Sequence, residues 1–247
     1  MGVQSVSRCS PWRRLRLAAL LASAGVLLLT SSGVIHSEGA GATVVGRVLF
    51  RGAVPPAQEI AVTRDPEICG ATRVIQPVAV DPATKGLLNV VVSVEGGTGE
   101  GGAAPLDAAV VTNQKCAFAN RVMAARTGAM LEVRNADPVM HNTHVRVDKR
   151  TFLNVALVSG GRPVQKLIKV PGLLNVQCDQ HKFMQGYVMA FDHPYYALTD
   201  AAGMFHITGV PAGRRTLTVW HEALGIMKKE VQVPSSGDFH VTFEVAS

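Results

Sequence analysis

The amino-acid sequence predicts an all-β fold, a Greek-key β-sandwich accompanied by a smaller β-sandwich unit. Aromatic residues make up only 5% of the 247 residues, whereas there are 24 glycines and 13 prolines, which suits many short strands joined by turns. Met130–Asn135 alternates between apolar and polar side chains, as a strand with one buried face does. Gly160-Gly161 and Pro171-Gly172 separate further strand-like runs, and no long stretch has amphipathic helical spacing. Together these features indicate a β-sandwich.

The first 42 residues are predicted to be an export segment with a signal helix. Basic residues precede an apolar run, residues 17–29, which is short for a membrane span and is followed by small residues suited to cleavage. The Arg13-Arg14 pair is compatible with twin-arginine export. An uncleaved membrane anchor is the alternative, and only then do we expect membrane association. Both interpretations predict a periplasmic or otherwise extracytoplasmic protein.

The charge balance predicts no nucleic-acid partner. The whole chain has a formal net charge of +6, but without residues 1–42 it has 20 basic and 17 acidic residues, a net charge of +3. No run of basic residues stands beside aromatic residues that could stack on bases.

A candidate metal site is indicated by Cys178, His181 and Met184, which follow one another at two-residue gaps. The segment lies on a short loop between strand-like residues 174–176 and 187–191, so three soft ligands can point at one position. His141, after an Asp-Pro turn, supplies a second imidazole. One Cys, two His and a weak Met form the ligand set of a blue-copper electron-transfer site. Zinc is an alternative, although a zinc site more often recruits another Cys or a carboxylate.

At these residues the chain resembles the cupredoxins, and more closely the plastocyanin-like, methylamine-utilisation-type proteins. The Cys-x-x-His-x-x-Met spacing is similar to the short ligand loop of amicyanin, and His141-Asn142 is similar to the His-Asn pair that carries the first ligand in those folds. The resemblance implies one type 1 copper ion, with His141, Cys178 and His181 in a trigonal plane and Met184 as a long axial ligand.

Residues around the ligands are expected to support them. Asn135 and Asn142 are candidates for hydrogen bonds behind the site, and the Asn142 side chain could tie the His141 loop to the ligand loop. We expect the His181 edge to reach the surface beside Phe183 and Met140, and to exchange electrons there. His144, three residues after His141, is predicted to be a surface histidine or else an extra ligand.

The cysteine count predicts a disulfide. Cys9 leaves with the export segment and Cys178 is assigned to the metal, so Cys69 and Cys116 remain. In an oxidising compartment two such cysteines most simply pair. A disulfide that closes the loop between them would stabilise the fold by about 4 kcal/mol in the chain-entropy model. Two buried free thiols are the alternative.

A second unit is predicted beyond residue 192. The Thr199-Asp200-x-x-Gly203 hairpin and the Val210-Pro-x-Gly213 turn resemble those of carboxypeptidase-regulatory or transthyretin-like β-sandwiches. We expect sequential domains, a copper domain over residues 43–192 and a β unit over 193–247. In the alternative, residues 43–94 pair with the C-terminal unit and the copper domain is an insertion.

These features predict an exported mononuclear blue-copper protein that carries single electrons between redox partner proteins. An enzyme is not expected, because multicopper oxidases and copper nitrite reductases need a second, His-rich centre, typically with a His next to the Cys ligand, whereas Cys178 is flanked by Gln177 and Asp179. Copper(I) carriage or storage, and a non-redox binding or structural role, are the alternatives.

Overall fold

Eighteen β-strands and one short α-helix form the regular structure of residues 41–96 and 106–246, the part of the chain that this computed structural model describes. The all-β class expected from the sequence is confirmed. The predicted export segment, with its signal helix and Cys9, lies outside the described residues except for its last two positions. In the described ranges, no helix is long and apolar enough to cross a membrane.

One β-sandwich, called here the terminal sandwich, contains strands from both ends of the described chain. Its strands are β1 (Ala42–Arg51), β4 (Val91–Val94), β14 (Tyr196–Leu198), β15 (Met204–Val210), β16 (Gly213–His221), β17 (Gly225–Val233) and β18 (Asp238–Ala246). One sheet has the order β15-β1-β18, with β1 antiparallel to β15 and parallel to β18. The other is antiparallel and has the order β14-β4-β16-β17.

The core of the terminal sandwich follows from side-chain alternation. In β1 every second residue from Ala42 to Phe50 is buried, which is the period of two that a strand imposes. Phe205 and Phe243 are among the largest fully buried side chains. Gly203 has a φ of 75°, and a Cβ there would lie 2.3 Å from the backbone oxygen of Val48, so the turn before β15 requires glycine.

The other β-sandwich, the central sandwich, carries the candidate metal site. Its strands are β5 (Ala109–Gln114), β6 (Ala117–Phe118), β7 (Val122–Arg126), β8 (Met130–Asn135), β9 (His141–Val147), β10 (Arg150–Leu157), β11 (Val164–Leu167), β12 (Gly172–Cys178) and β13 (Gln185–Phe191). The five-stranded sheet has the order β10-β9-β12-β13-β7, and the four-stranded sheet the order β11-β8-β5-β6. Leu131, Val145, Leu174 and Val188 are fully buried in the core formed between these strands.

A small hairpin precedes β4 and is fixed to the central sandwich. It consists of β2 (Gln58–Ala61), the single-turn helix α1 (Pro66–Cys69) and β3 (Thr72–Ile75), and we call residues 58–75 the capping hairpin. A disulfide joins Cys69 to Cys116, as expected from the sequence, with the two Cα atoms 5.4 Å apart. Both cysteines are buried in a small cluster with Val62, against which Phe183 packs.

The order of the domains differs from the sequential arrangement expected from the sequence. β1 pairs with β18 from Thr43 to Arg51, and β4 lies between β14 and β16. Residues 43–94 therefore supply two strands to the C-terminal unit, and β5–β13 form an insertion between those strands and β14. The physical reason is size: the 55 residues from 193 to 247 alone can bury little apolar surface, and β1 and β4 contribute much of the terminal core.

Candidate metal centre

The ligand loop links β12 to β13 and is held by its own backbone. Cys178 is the last residue of β12, and the amide N–H of His181 lies 3.4 Å from its Sγ atom. The amide N–H of Met184 donates to the carbonyl oxygen of His181 at 2.9 Å. The amide N–H of Cys178 in turn donates to the carbonyl oxygen of Met184 at 3.3 Å. These bonds close the loop tightly and turn both Cys178 and His181 inward.

Three donor atoms meet at this loop. The Nδ1 atoms of His141 and His181 lie 3.1 Å apart, and the Sγ atom of Cys178 lies 3.9 Å from the first and 3.7 Å from the second. A triangle with these edges has its centre about 2.1 Å from each corner, which is within the range of about 2.0 to 2.3 Å for bonds from imidazole nitrogen and thiolate sulfur to a first-row metal. All three residues are buried. The arrangement fits a three-coordinate metal ion without any movement of the side chains.

His141 is oriented by Asp137. The Nε2 atom of His141 lies 2.8 Å from Oδ2 of Asp137, four residues earlier, and both side chains are buried. The same carboxylate accepts the amide N–H groups of Lys115 at 2.6 Å and Cys116 at 2.8 Å. Lys115 and Cys116 form the two-residue turn between β5 and β6, each with a φ of 53°, a conformation that usually selects Asn-Gly. Asp137 therefore holds this turn and the imidazole together.

His181 is oriented by a carboxylate from the capping hairpin. Its Nε2 atom lies 3.1 Å from Oδ2 of Asp65 and 3.8 Å from the Sγ atom of Cys69. Asp65 directly precedes α1, and the Cys69–Cys116 disulfide fixes that helix against the central sandwich. The hairpin thus brings a charged group to a histidine that is 116 residues away in the chain.

The two carboxylates determine the tautomers of the imidazoles. An ionised carboxylate only accepts hydrogen bonds, so each Nε2 atom carries the proton, and each Nδ1 atom presents a lone pair to the centre of the triangle. Burial lowers the pKa of His141 below its usual value, and this effect outweighs the hydrogen bond that His141 donates to Asp137, which raises the pKa. Burial therefore favours the neutral form of the His141 imidazole, which is the form that metals bind.

Met184 lies on the same loop and is buried in the central core with Cys178. Its amide and carbonyl groups bond to His181 and Cys178, so its backbone position is fixed relative to both.

The two asparagines predicted to support the site act differently from each other. Asn135 donates to the carbonyl oxygens of Val139 and Leu157, and it shapes the turn that presents Asp137. The Asn142 side chain does not reach the ligand loop, because it donates to Asn154 on the adjacent strand. Instead, the main-chain carbonyl of Asn142 accepts the amide N–H of Asp179 at 3.1 Å. The expected tie between the two loops is present, but the backbone makes it.

The expected exposure of His181 requires correction. Its side chain has no exposed surface, since Asp65 and Cys69 lie against its Nε2 atom. Met140 is 37% exposed and Phe183 is half-buried, with its ring centroid 5.7 Å from that of His181. The capping hairpin comes from a distant part of the sequence, and so the local pattern around His181 gave no indication of this cover.

His144 is neither a surface residue nor a neighbour of the donor atoms. Side chains alternate along β9, so His141 faces the core and His144 faces the opposite side of the sheet. There its Nε2 atom lies 2.8 Å from the hydroxyl of Thr151, and its Nδ1 atom lies 3.1 Å from Asp179. His144 is buried in this polar network and does not contribute to the triangle.

Sequence reasoning missed the two carboxylates, Asp65 and Asp137. Asp137 carries a local signal, since it precedes a proline in a turn and stands four residues before His141. Asp65 carries none, because its contact with His181 depends on the position of the capping hairpin.

Comparison with known proteins finds likeness at the level of solved structures. No protein-family model and no curated protein matches the chain. Copper proteins are among the similar solved structures. A copper-containing nitrite reductase from Thermus scotoductus SA-01 has 20% identity over 36% of this chain and 23% of its own, with a TM-score of 0.32. A reduced amicyanin mutant has 18% identity over 34% of this chain and 82% of its own, with a TM-score of 0.31. A purple cupredoxin from Nitrosopumilus maritimus has 17% identity over 34% of this chain and 99% of its own, with a TM-score of 0.30. The match therefore spans less than a quarter of the nitrite reductase.

Proposed function

We propose that the protein binds one copper ion at His141, Cys178 and His181 and carries single electrons between redox partners. The observation that carries this proposal is the triangle of Nδ1, Nδ1 and Sγ atoms, with edges of 3.1, 3.7 and 3.9 Å. One thiolate and two imidazoles in one buried plane form the donor set of a blue-copper site. Met184, on the same loop, is the residue that would offer a fourth, thioether ligand.

The donor set favours copper over zinc. Structural zinc sites are usually tetrahedral, with four Cys or His ligands, whereas the described residues bring three such donors together here. The fourth candidate is a thioether, a soft donor that suits copper better than zinc. The second group with suitable spacing, Cys116 with Asp137 and His141, has its cysteine in a disulfide and offers no thiolate.

The hydrogen bonds around the site suit electron transfer. Copper supplies the one-electron couple between its Cu(II) and Cu(I) states. The protein must keep its ligands in one geometry through both states, because every movement of a ligand adds to the barrier. Asp137 fixes His141, Asp65 fixes His181, and the amide N–H of His181 points at the Cys178 sulfur. Each ligand is thus held by a group that does not bind the metal.

The remaining features of the proposal concern the setting of the protein. A location outside the cytoplasm fits the disulfide, since such bonds persist in oxidising compartments. The partner is proposed to be another redox protein, and no catalytic role is proposed for the described residues. The terminal sandwich is proposed to serve as the scaffold into which the central sandwich is inserted.

Voltammetry of the copper-loaded protein tests the proposal. Electron transfer predicts a reversible one-electron wave, with the copper retained and its spectrum recovered after repeated oxidation and reduction. Copper(I) carriage predicts a different result, namely loss of the metal or an irreversible wave on oxidation. The His141→Gly variant is a matched control, since it keeps the thiolate but removes one corner of the triangle, and its wave should be lost or displaced.

A further inference from the structure

A groove beside the ligand loop offers a route to the site that avoids the covered edge of His181. The groove has a volume of about 230 Å³, and its lining includes Phe183 and Met184 from the loop, Cys116 from the disulfide, and Arg73 and Arg121. Phe183 connects it to the site, because its ring centroid lies 5.7 Å from that of His181. The groove is therefore one aromatic ring away from a proposed copper ligand.

The side chains along this groove are basic. Arg73 and Arg121 line it, and none of its lining residues is acidic. Arg121 is neutralised by Glu222 of the terminal sandwich, with Nη2 donating to Oε2 at 2.7 Å. Arg73, on the capping hairpin, forms no ion pair with any described residue. Two exposed lysines flank the lining: Lys115 precedes Cys116, and Lys182 precedes Phe183. The lining of the groove is therefore basic, and Arg73 supplies its one positive charge that is not paired within the described residues.

The lining of the groove also contains apolar side chains. Ile75 on β3 and Phe118 on β6 line it together with Phe183. An apolar contact area surrounded by basic side chains suits a partner that presents an apolar patch within an acidic surface, because complementary charge speeds encounter and orients the two proteins.

We propose that electrons pass between the copper site and its partner through this groove, by way of Phe183, and that the partner is a redox protein with an acidic docking face. The inference rests on the proposed function. The capping hairpin then has two roles. It covers the edge of His181, and it contributes Arg73 to the groove through which electrons pass instead. In each exchange one electron leaves Cu(I) for the partner, or arrives from the partner at Cu(II).

The rates of electron transfer to an anionic and to a cationic redox complex test whether electrons leave the protein at the basic groove. The probes are ferricyanide, an anion, and tris(phenanthroline)cobalt(III), a cation, each mixed with the Cu(I) protein in a stopped-flow instrument at low ionic strength. The Arg73→Glu variant should react about tenfold more slowly with ferricyanide and faster with the cobalt complex, and both effects should fade at high salt.

The matched control is Lys149→Glu, which changes the charge by the same amount. Lys149 lies in the turn between β9 and β10, at the opposite end of β9 from His141. Equal effects of the two variants on both probes would overturn the inference, since electrons would then be exchanged elsewhere. The visible spectrum recorded before mixing separates the two proposals: an unchanged copper band shows that the site is intact, whereas a wild-type protein without that band refutes the proposed function itself.

Discussion

Removal of the Cys69–Cys116 disulfide tests the fold and the cover of the metal site together. The bridge joins residues 47 positions apart and is buried at both ends. In the chain-entropy model a loop of this length contributes about 4 kcal/mol at 25 °C. A total stability of about 5 to 15 kcal/mol is typical of a protein domain, so this is a large fraction. For a unit of roughly 200 residues the loss corresponds to a fall of about 8 to 16 °C in Tm.

The assay is urea-induced unfolding of the metal-free protein, followed by Trp220 fluorescence and by circular dichroism. The Cys69→Ala/Cys116→Ala variant should unfold at a lower urea concentration with a similar slope, provided that both probes give the same transition. The wild-type protein treated with a thiol reductant should approach the variant. The Cys178→Ser variant, which keeps the disulfide, is the control and should lose clearly less than about 4 kcal/mol, because it exchanges one atom and leaves the loop between Cys69 and Cys116 closed.

A variant that loses less than about 1 kcal/mol would refute this reasoning, because a loop of this length closed in the native state should stabilise by several times that amount. In that case contacts other than the disulfide would hold the capping hairpin against the central sandwich. The bond from Asp65 to His181 would then be expected to persist without the disulfide.

Three further predictions concern single side chains. Asp65→Asn should raise the reduction potential of the copper protein by about 60 mV, since the carboxylate favours Cu(II) and its loss is equivalent to about a tenfold change in relative affinity. Potentiometric titration checks this, and Glu67→Gln, an equal change of charge within α1, should shift the potential much less. Arg121→Ala should destabilise the fold by about 3 kcal/mol, because Glu222 would be left buried and unpaired, and addition of Glu222→Gln should recover part of the loss in urea unfolding. Burial lowers the pKa of His221 in the folded state. The unfolded chain therefore takes up the proton first, and the free energy of unfolding should fall as the pH drops below about 6.5. In the His221→Gln variant the free energy of unfolding should fall less between about pH 7.5 and 5.5, and an unchanged pH dependence would contradict this account.

The ligand loop was predictable from the sequence because its geometry is local. Cys178, His181 and Met184 lie within seven residues between two apolar strands, and hydrogen bonds within the loop fix their relative positions. His141 is distant in sequence, but the Asp-Pro turn and the following strand marked it as the end of an element. The structure brings its Nδ1 atom beside that of His181 because β9 and β12 are neighbours in one sheet.

The domain order could not be read in the same way. Periodicity identifies strands but not their partners, and consecutive elements are neighbours often enough that sequential domains were the natural expectation. The parallel pairing of β1 with β18 joins the two ends of the described chain. Nothing in either strand alone specifies it.

The cover of His181 was missed for a related reason. An apolar loop with a histidine predicts an exposed edge when only the central sandwich is considered. The capping hairpin belongs to the segment before β4 and reaches the loop through Asp65 and the disulfide. Cys69 and Cys116 were paired correctly from their number and the expected compartment, but the sequence did not indicate that this bond would place a carboxylate against a proposed copper ligand.

The visible absorption spectrum after addition of one equivalent of Cu(II) tests the central claim most directly. An intense thiolate-to-copper band is expected in the wild-type protein, because the Cys178 sulfur and two imidazole nitrogens lie around one point. The band should be absent from the Cys178→Ser variant, which folds around the same disulfide and the same histidines. A wild-type protein that stays colourless, or a band that persists without Cys178, would contradict the assignment of a blue-copper centre to these residues.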